Sequence, residues 1–169
     1  MHDFMLVAAM NPTPEGKMPG ESHSSPRETQ RYLGRISGPL LDRIDLHIEV
    51  PQVKFREISG DRTGETSAQI RGRVVAARRR QHERFANKPK ITCNARMGSR
   101  ELKKFCELDE GTKELLQNAM ADLNLSARAY DRILKVARTI ADLAASEKIS
   151  SDHISEAIQY RSLDRQLWG

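Results

Sequence analysis

The sequence lacks the short motifs by which many enzymes are identified. It has no Gly-x-x-x-x-Gly-Lys-Ser/Thr loop to hold phosphates, and no His-Glu-x-x-His or Cys-x-x-Cys arrangement to hold a metal. Its serines and histidines form no pattern that predicts a catalytic triad. We therefore predict no metal site, and we expect this chain by itself to catalyse no reaction.

The sequence also lacks targeting signals. No apolar run approaches the roughly 18 residues that a transmembrane helix requires. The first residues contain no basic stretch followed by an apolar segment, so no signal peptide is predicted. The two cysteines, Cys93 and Cys106, lie far apart and are typical of reduced, structural thiols. The sequence therefore predicts a cytoplasmic protein with no membrane partner.

Aromatic residues are scarce, at 5% of the 169-residue chain, whereas charged residues make up 30%. A core must therefore be built from aliphatic side chains, alanine and methionine, and the charged residues are numerous enough to cover the surface. The formal net charge of +5 favours contact with anions such as phosphates. It does not by itself establish a nucleic-acid partner.

Two patterns near the beginning of the chain are typical of β-strands. Residues 4–10 form a continuous apolar run that ends at Asn11, as expected of a strand buried on both faces of a parallel sheet. Residues 46–51 alternate between apolar and polar side chains. Because a central strand needs a neighbour on each side, we infer that the chain belongs to a longer protein that supplies further strands.

Helix signals lie between and after these strands. Ser25 and Glu28 form a capping-box pattern that predicts a helix from Pro26 to about Ile36, and residues 39–44 predict a short helical turn. Residues 57–64 are rich in glycine and charge and are typical of a linker.

Beyond residue 64 every strong periodicity is helical. Apolar side chains recur at the three- and four-residue spacing of amphipathic helices, and helices this short need tertiary packing to persist. The predicted fold class is therefore an α/β unit with two strands over residues 1–56, a linker over 57–64 and an all-α bundle over 65–169. The longest apolar stripe comprises Tyr130, Ile133, Leu134, Ala137, Ile140, Ala141 and Ala144.

Three positions carry chemistry that the predicted fold does not require. Asn11 follows the carboxyl end of the first predicted strand, where ligands bind in open α/β sheets, although Asn-Pro also opens ordinary turns. Arg43 lies between two aspartates and is either a neutralised surface residue or a guanidinium group held for a phosphate. Arg128 lies in the first turn of a helix capped by Ser126, where its charge opposes the helix dipole. A solvated arginine is the alternative there.

A fourth feature is a group of arginines on the polar side of the helix predicted after residue 65. A solvated surface is the simpler interpretation, and a groove that contacts a nucleic-acid backbone is the alternative. The weak candidates for nucleic-acid binding are Arg78, Arg79 and Arg80. The whole group comprises Arg71, Arg73, Arg78, Arg79, Arg80 and Arg84.

Three long segments carry a family resemblance. The chain contains LVAAMNP at residues 6–12, RYLGRISGPLLDRIDLHIEVP at 31–51 and SARAYDRILKVARTIADL at 126–143. Together they resemble the magnesium-chelatase-like AAA+ ATPases of the ComM type, and the resemblance extends over essentially the whole chain. In that family, residues 1–56 would be the end of the AAA+ ATPase core and residues 65–169 the α-helical lid.

The resemblance implies roles for the three positions. Asn11 matches the sensor 1 residue, which orients the attacking water near the γ-phosphate of ATP. Arg43 matches the arginine finger, which reaches the ATP of a neighbouring subunit. Arg128 matches sensor 2, a nucleotide-binding residue on the lid. Asn11 and Arg43 are thus the implied catalytic residues.

The resemblance also implies cofactors, partners and a function for the whole protein. It implies ATP with Mg²⁺, self-association into a ring such as a hexamer, and DNA as a partner. This chain alone should bind no cofactor tightly, because the family's Walker A and Walker B segments come before residue 4. The implied function is a helicase that promotes branch migration of DNA during natural transformation. Two alternatives stay open: the ATPase subunit of a magnesium chelatase in tetrapyrrole synthesis, and a non-catalytic helical module that binds nucleic acid.

Overall fold

The computed structural model describes residues 5–17, 22–41, 43–50 and 64–161. Within these ranges the chain forms seven α-helices and one short 3-10 turn at Asn94–Arg96, and it forms no β-strand. None of these helices combines the length and apolar character needed to cross a bilayer. In chain order they are α1 (Pro26–Leu33), α2 (Gly38–Leu41), α3 (Ser67–Arg84), α4 (Ser99–Phe105), α5 (Glu110–Asp122), α6 (Ala127–Leu143) and α7 (Ser151–Gln159).

Helix α6 is the centre of a helical bundle. It packs against α3, α4, α7 and the 3-10 turn, while α5 packs against α7. Ile133, Ala137 and Ala141 of α6 are completely buried, and their four-residue spacing places them on one stripe. Burying an isoleucine or leucine side chain contributes about 1.5–3 kcal/mol. The predicted stripe is confirmed at Ile133, Leu134, Ala137 and Ala141, which lie in the core, whereas its two end members, Tyr130 and Ala144, are exposed.

The core is largely aliphatic, as the composition predicts. Leu116 and Ile154 are almost completely buried within it. The aromatic contribution comes from Phe85 and Phe105, whose rings meet edge to face with centroids 5.6 Å apart. The buried cluster comprises Phe85, Met97, Leu102, Cys106, Leu108, Leu116, Ile133, Leu134, Ala137, Ala141, Ile149, Ile154 and Ala157.

The predicted capping box of α1 is confirmed. The Ser25 hydroxyl accepts a hydrogen bond from the Glu28 backbone N–H, and the Glu28 carboxylate accepts one from the Ser25 N–H at 2.9 Å. The helix ends at Leu33 and not at Ile36, because the Gly34 N–H is the last to donate four residues back, whereas the Arg35 and Ile36 N–H groups donate only three residues back, as in a turn. Local cap chemistry is thus a better guide to the beginning of this helix than to its end.

The two predicted strands are wrong, and with them the predicted α/β unit. Residues 5–10 are exposed along their whole length, and Val7 is 78% exposed. Residues 46–50 are likewise not a strand. A strand is held by hydrogen bonds to a neighbouring strand, and within the described ranges no neighbour provides them. Apolar and alternating patterns indicate side chains suited to a sheet surface, but they do not supply the sheet.

Some predictions fall outside the described residues. The linker predicted at 57–64 lies outside them except for Gly64, and Asp42 beside Arg43 lies outside them as well. The domain boundaries at residues 56 and 65 stay a prediction.

A buried ionic cluster ties α6 to its neighbours. The carboxylate of Asp142 is completely buried near the end of α6. It accepts hydrogen bonds from the Arg84 guanidinium group of α3 at 2.5 and 2.7 Å. A third bond comes from the Asn94 side-chain amide of the 3-10 turn at 2.8 Å. One carboxylate therefore joins three elements of the bundle.

Arg138 adds a second cation to this cluster. It is 3% exposed, and its guanidinium group lies 3.3 Å from the Asp142 carboxylate. It also donates to the backbone carbonyls of Ser146 and Glu147, both at 2.7 Å, and so holds the loop after α6. Burial alone would raise the pKa of Asp142, but the hydrogen bonds from Arg84 and Asn94 and the charges of the two arginines outweigh it. The pKa of this carboxyl therefore lies below its ordinary value.

Replacing Asp142 with Asn should lower the free energy of unfolding by about 3–5 kcal/mol, because two arginines would lose their buried counter-charge. Urea denaturation measures this loss. The matched control is Asp131→Asn, which removes an exposed carboxylate from the same helix and should change the stability by about 0.5 kcal/mol or less. Similar losses in the two variants would contradict a dominant role for the cluster.

The pH dependence of the same proteins provides a second check. The unfolded chain binds a proton at Asp142 near the ordinary pKa of 3.8, whereas the folded chain binds it only at lower pH. The unfolded state therefore holds more protons in that window, and stability falls as the pH decreases through it. The difference between wild type and Asp142→Asn should be constant above pH 5 and narrow below about pH 4. A difference that persists unchanged at pH 2.5 would contradict this assignment.

Candidate functional site

Arg43 lies just after α2 and is exposed. Its guanidinium group donates a hydrogen bond to the Pro39 carbonyl at 2.6 Å, so the side chain lies along its own helical turn. Of the two aspartates that could neutralise it, Asp45 forms an ion pair with Arg132 of α6. The other, Asp42, lies outside the described residues. Asp45, one of the two aspartates that could neutralise Arg43, is therefore paired with Arg132 instead.

Arg132 joins this segment to α6. Its Nη1 donates to the backbone carbonyl of Arg43 at 2.7 Å and also contacts the Asp45 carboxylate. The Arg132 side chain is only 23% exposed, whereas Asp45 is 61% exposed. A single nitrogen thus holds a backbone group and a side chain two residues apart.

The end of α7 provides a second attachment. Arg161, which is 1% exposed, donates to the backbone carbonyl of Ile44. The His47 N–H donates to the Tyr160 carbonyl at 2.9 Å, and the buried His47 ring lies 3.3 Å from the Leu41 carbonyl oxygen. Residues 43–47 are therefore fixed to the bundle mainly through backbone groups.

Arg128 occupies the first turn of α6, as predicted, and is exposed. Ser126 caps the helix by accepting a hydrogen bond from the Ala129 N–H at 3.2 Å. Arg132 follows Arg128 by four residues, and residues at this spacing lie on the same face of a helix. The face of α6 that bears Arg128 is therefore the face that contacts the backbone of Arg43.

The described contact of Asn11 is within its own turn. It is exposed and precedes a tight turn in which the Gly16 N–H donates to the Thr13 carbonyl at 3.0 Å. Gly16 adopts a φ of 79°, and a Cβ atom there would lie 3.3 Å from the side-chain amide of Asn11. Thus the structure connects Arg43 with the helix of Arg128, whereas it places Asn11 against this turn.

Several arginines of α3 are engaged within the protein. Arg84 belongs to the buried cluster, and Arg80 donates to the backbone carbonyl of Asp142 at 3.2 Å. That carbonyl lies in the last turn of α6, where it also accepts a hydrogen bond from the Ala145 N–H at 3.2 Å and where the helix dipole favours a cation. The described contact of Arg80 is with the backbone of α6, and its weak nucleic-acid role stays a prediction.

The remaining members of the group differ from one another. Arg73 forms a two-pronged ion pair with Glu65 at 2.5 and 2.9 Å, and Arg78 donates to the Gln81 side chain at 3.0 Å. Arg79 is exposed. Of the three weak candidates, Arg79 is therefore the one best placed to meet an external polyanion.

The arginines of this region carry the chemistry of a phosphate contact. Guanidinium groups donate hydrogen bonds to phosphate oxygens, whereas Mg²⁺ requires several oxygen ligands. In the part of the chain that the structure describes, no three His, Cys, Asp or Glu side chains gather as a metal site would require.

Burial raises the pKa of Cys106 to about 11, so its thiol is protonated and lies against the Leu134 carbonyl oxygen.

Comparison with known proteins adds two family matches. The family described as "Magnesium chelatase, subunit ChlI C-terminal" matches residues 64–161, and the family described as "Magnesium chelatase, subunit ChlI" matches residues 1–58. The chain is 47% identical to the competence protein ComM of Haemophilus influenzae, and the alignment covers 97% of this chain and 32% of that protein. It is 44% identical to the uncharacterised protein YifB of Salmonella typhimurium, with the same two coverages. The chain therefore spans about a third of the length of these curated relatives.

Replacing Arg80 with Ala should lower the free energy of unfolding by about 1–2 kcal/mol, because the last turn of α6 would lose a charged donor. The matched control is Arg79→Ala, which removes a neighbouring exposed arginine and should cost about 0.5 kcal/mol or less. Thermal or urea denaturation measures both changes. Equal stabilities for the two variants would show that the Arg80 contact contributes nothing.

Proposed function

Since this chain belongs to the magnesium chelatase family and resembles its ComM-type members, we propose that it is the C-terminal region of an ATP-hydrolysing protein. In this proposal Arg43 reaches the ATP of a neighbouring subunit, and Arg128 contacts nucleotide. Asn11 orients the attacking water. The observation that carries the proposal is the Arg132 contact, which attaches the backbone of Arg43 to the face of α6 that bears Arg128.

The chemistry of these side chains supports a phosphate ligand. An arginine keeps its charge at any physiological pH, and its planar donors match phosphate oxygens. Phosphoryl transfer spreads negative charge over the transferred group, and a fixed guanidinium group stabilises that charge. Because Asp45 is paired with Arg132, its negative charge repels an incoming phosphate at Arg43 less strongly.

The proposal implies an assembly. An arginine that acts on a neighbour's ATP completes an active site only when two subunits meet. We therefore propose that the whole protein forms a ring and uses ATP with Mg²⁺. The residues that hold the metal and most of the nucleotide would lie in the parts of the protein outside this chain, which spans about a third of its relatives.

We further propose that the whole protein is a DNA motor that promotes branch migration during natural transformation. The 47% identity to a protein named for competence favours this function over that of a chelatase subunit. The formal net charge of +5 and the exposed Arg71 and Arg79 on α3 are compatible with a DNA partner.

ATP hydrolysis by the full-length protein should be stimulated by DNA if it is a motor. Steady-state hydrolysis with and without single-stranded and branched DNA measures this, at two salt concentrations because backbone contacts weaken as salt increases. Hydrolysis that no DNA stimulates would contradict the motor and leave the chelatase subunit as the better explanation. Salt-dependent DNA binding without any ATP hydrolysis would instead support the non-catalytic module.

In the full-length protein, Arg43→Ala should lower kcat for ATP hydrolysis by about a thousandfold, because the transition state would lose its trans-acting cation. Nucleotide affinity should be nearly unchanged. Fluorescent-nucleotide titration and steady-state hydrolysis separate the two effects. The matched control is Arg35→Ala, which removes another exposed arginine of the same region.

A mixing experiment tests the action in trans. Subunits with Arg43→Ala keep their own phosphate-binding loop, so neighbours that lack that loop but retain Arg43 should restore their hydrolysis. Failure to restore activity, together with weakened nucleotide binding by Arg43→Ala, would mean that Arg43 acts within its own subunit.

A further inference from the structure

The attachment of residues 43–47 has two parts that come from different helices. The end of α7 holds Ile44 and His47, as described above. Helix α6 holds Arg43 and Asp45 through one side chain, that of Arg132. Among the described contacts, Arg43, the residue proposed to reach ATP, is therefore held by α6 and not by α7.

We propose that Arg132 is a positioning residue that sets the place of Arg43 relative to α6 and keeps Asp45 away from it. This inference rests on the proposed function of Arg43. Arg132 itself need not touch nucleotide.

The first argument is geometric. The Arg132 side chain is about three-quarters buried and donates to the Arg43 carbonyl at 2.7 Å. This bond fixes the backbone of Arg43 while its side chain stays exposed. A guanidinium group on a fixed backbone loses less conformational freedom when it meets a phosphate, so the contact favours catalysis without being part of it.

The second argument is electrostatic. Asp45 lies two residues from Arg43 and is 61% exposed, so without Arg132 it could turn toward the Arg43 guanidinium group. Such a pair would neutralise the cation that the proposed function needs. By engaging Asp45, Arg132 keeps that carboxylate from Arg43, whose described side-chain contact is one hydrogen bond to the Pro39 carbonyl and whose other donors can meet a phosphate.

The third argument is the place of Arg132 on α6. It lies one turn after Arg128, so a single helix carries the nucleotide-contacting residue and the residue that holds Arg43. The relative positions of Arg43 and Arg128 therefore depend on the Arg132 contact.

The first experiment measures how firmly the segment is held, through the stability of its own backbone hydrogen bonds, and needs no ATP. Hydrogen exchange of this chain follows the backbone amides of Arg43, Ile44 and His47, all of which donate hydrogen bonds in the structure. Arg132→Gln should speed their exchange about tenfold and leave the amides of the bundle core unchanged, as expected of a local release. The matched control is Lys135→Gln, which removes a cation of α6 that contacts the Ala95 carbonyl instead. That control should leave the three amides unchanged.

The second experiment measures catalysis in the full-length protein. Arg132→Gln should lower kcat about tenfold and leave KM for ATP within about twofold, because misplacement of a catalytic group affects the transition state most. Arg132→Lys, which keeps the charge and one donor nitrogen, should recover most of kcat, because a single nitrogen of Arg132 makes both contacts. Asp45→Asn combined with Arg132→Gln should recover part of it, because no carboxylate then competes for Arg43.

The outcomes separate the two proposals. Unchanged exchange in Arg132→Gln would overturn the attachment, and faster exchange with unchanged kcat would overturn the positioning role. An Arg43→Ala variant with full activity would overturn the proposed function, while the exchange result would still decide whether Arg132 holds the segment. If Arg132→Gln does not fold, Asp45→Asn alone serves the exchange measurement and should give a smaller increase at the same amides. No increase there would count against the proposal.

Discussion

A completely buried carboxylate must be paired, and the pairing of Asp142 organises the bundle around α6. Transferring an ionised group out of water is stable only where opposite charges and hydrogen-bond donors replace the lost hydration. Arg84 and Asn94 reach Asp142 from α3 and from the 3-10 turn, and Arg138 holds the following loop beside it. These bonds fix the direction of α6. The same helix then presents Arg128 and Arg132 at its opposite end, so the candidate site depends on a cluster that takes no part in its chemistry.

The sequence predicts features that depend on residues close together in the chain, and it does not predict features that depend on residues far apart in the chain. Helices after residue 64 were predictable because apolar spacing and caps such as Ser126 act within a few residues. The strands were predicted wrongly because a strand is completed by partners that local patterns do not reveal. Arg43 and Arg128 were singled out by local anomalies of charge, and their roles stay predictions. Arg132 was missed because its partner, the carbonyl of Arg43, lies 89 residues earlier.

The arginines of α3 illustrate why charge along a helix is a weak indicator of a ligand. All of them looked alike on the polar side of the predicted helix, yet Arg84 lies against a buried carboxylate and Arg80 against the end of α6. Arg73 is paired with Glu65. What distinguishes them is the presence of acceptors on neighbouring helices, which depends on the packed structure. The surface that can attract a polyanion is therefore smaller than the count of arginines implies.

The two regions of the chain that the families match are in contact at the candidate site. One covers residues 1–58 and the other residues 64–161, and the described contacts between them include hydrogen bonds from Arg132 and Arg161 to the backbone carbonyls of residues 43 and 44. Bonds to carbonyls fix the path of a segment whatever side chains it carries, so they leave the side chain of Arg43 available for a ligand. If α6 moved relative to residues 43–47, these hydrogen bonds would either break or pull the segment along with the helix. Because Arg128 lies on the same helix, any ligand that moves α6 would therefore act on the position of Arg43 through Arg132.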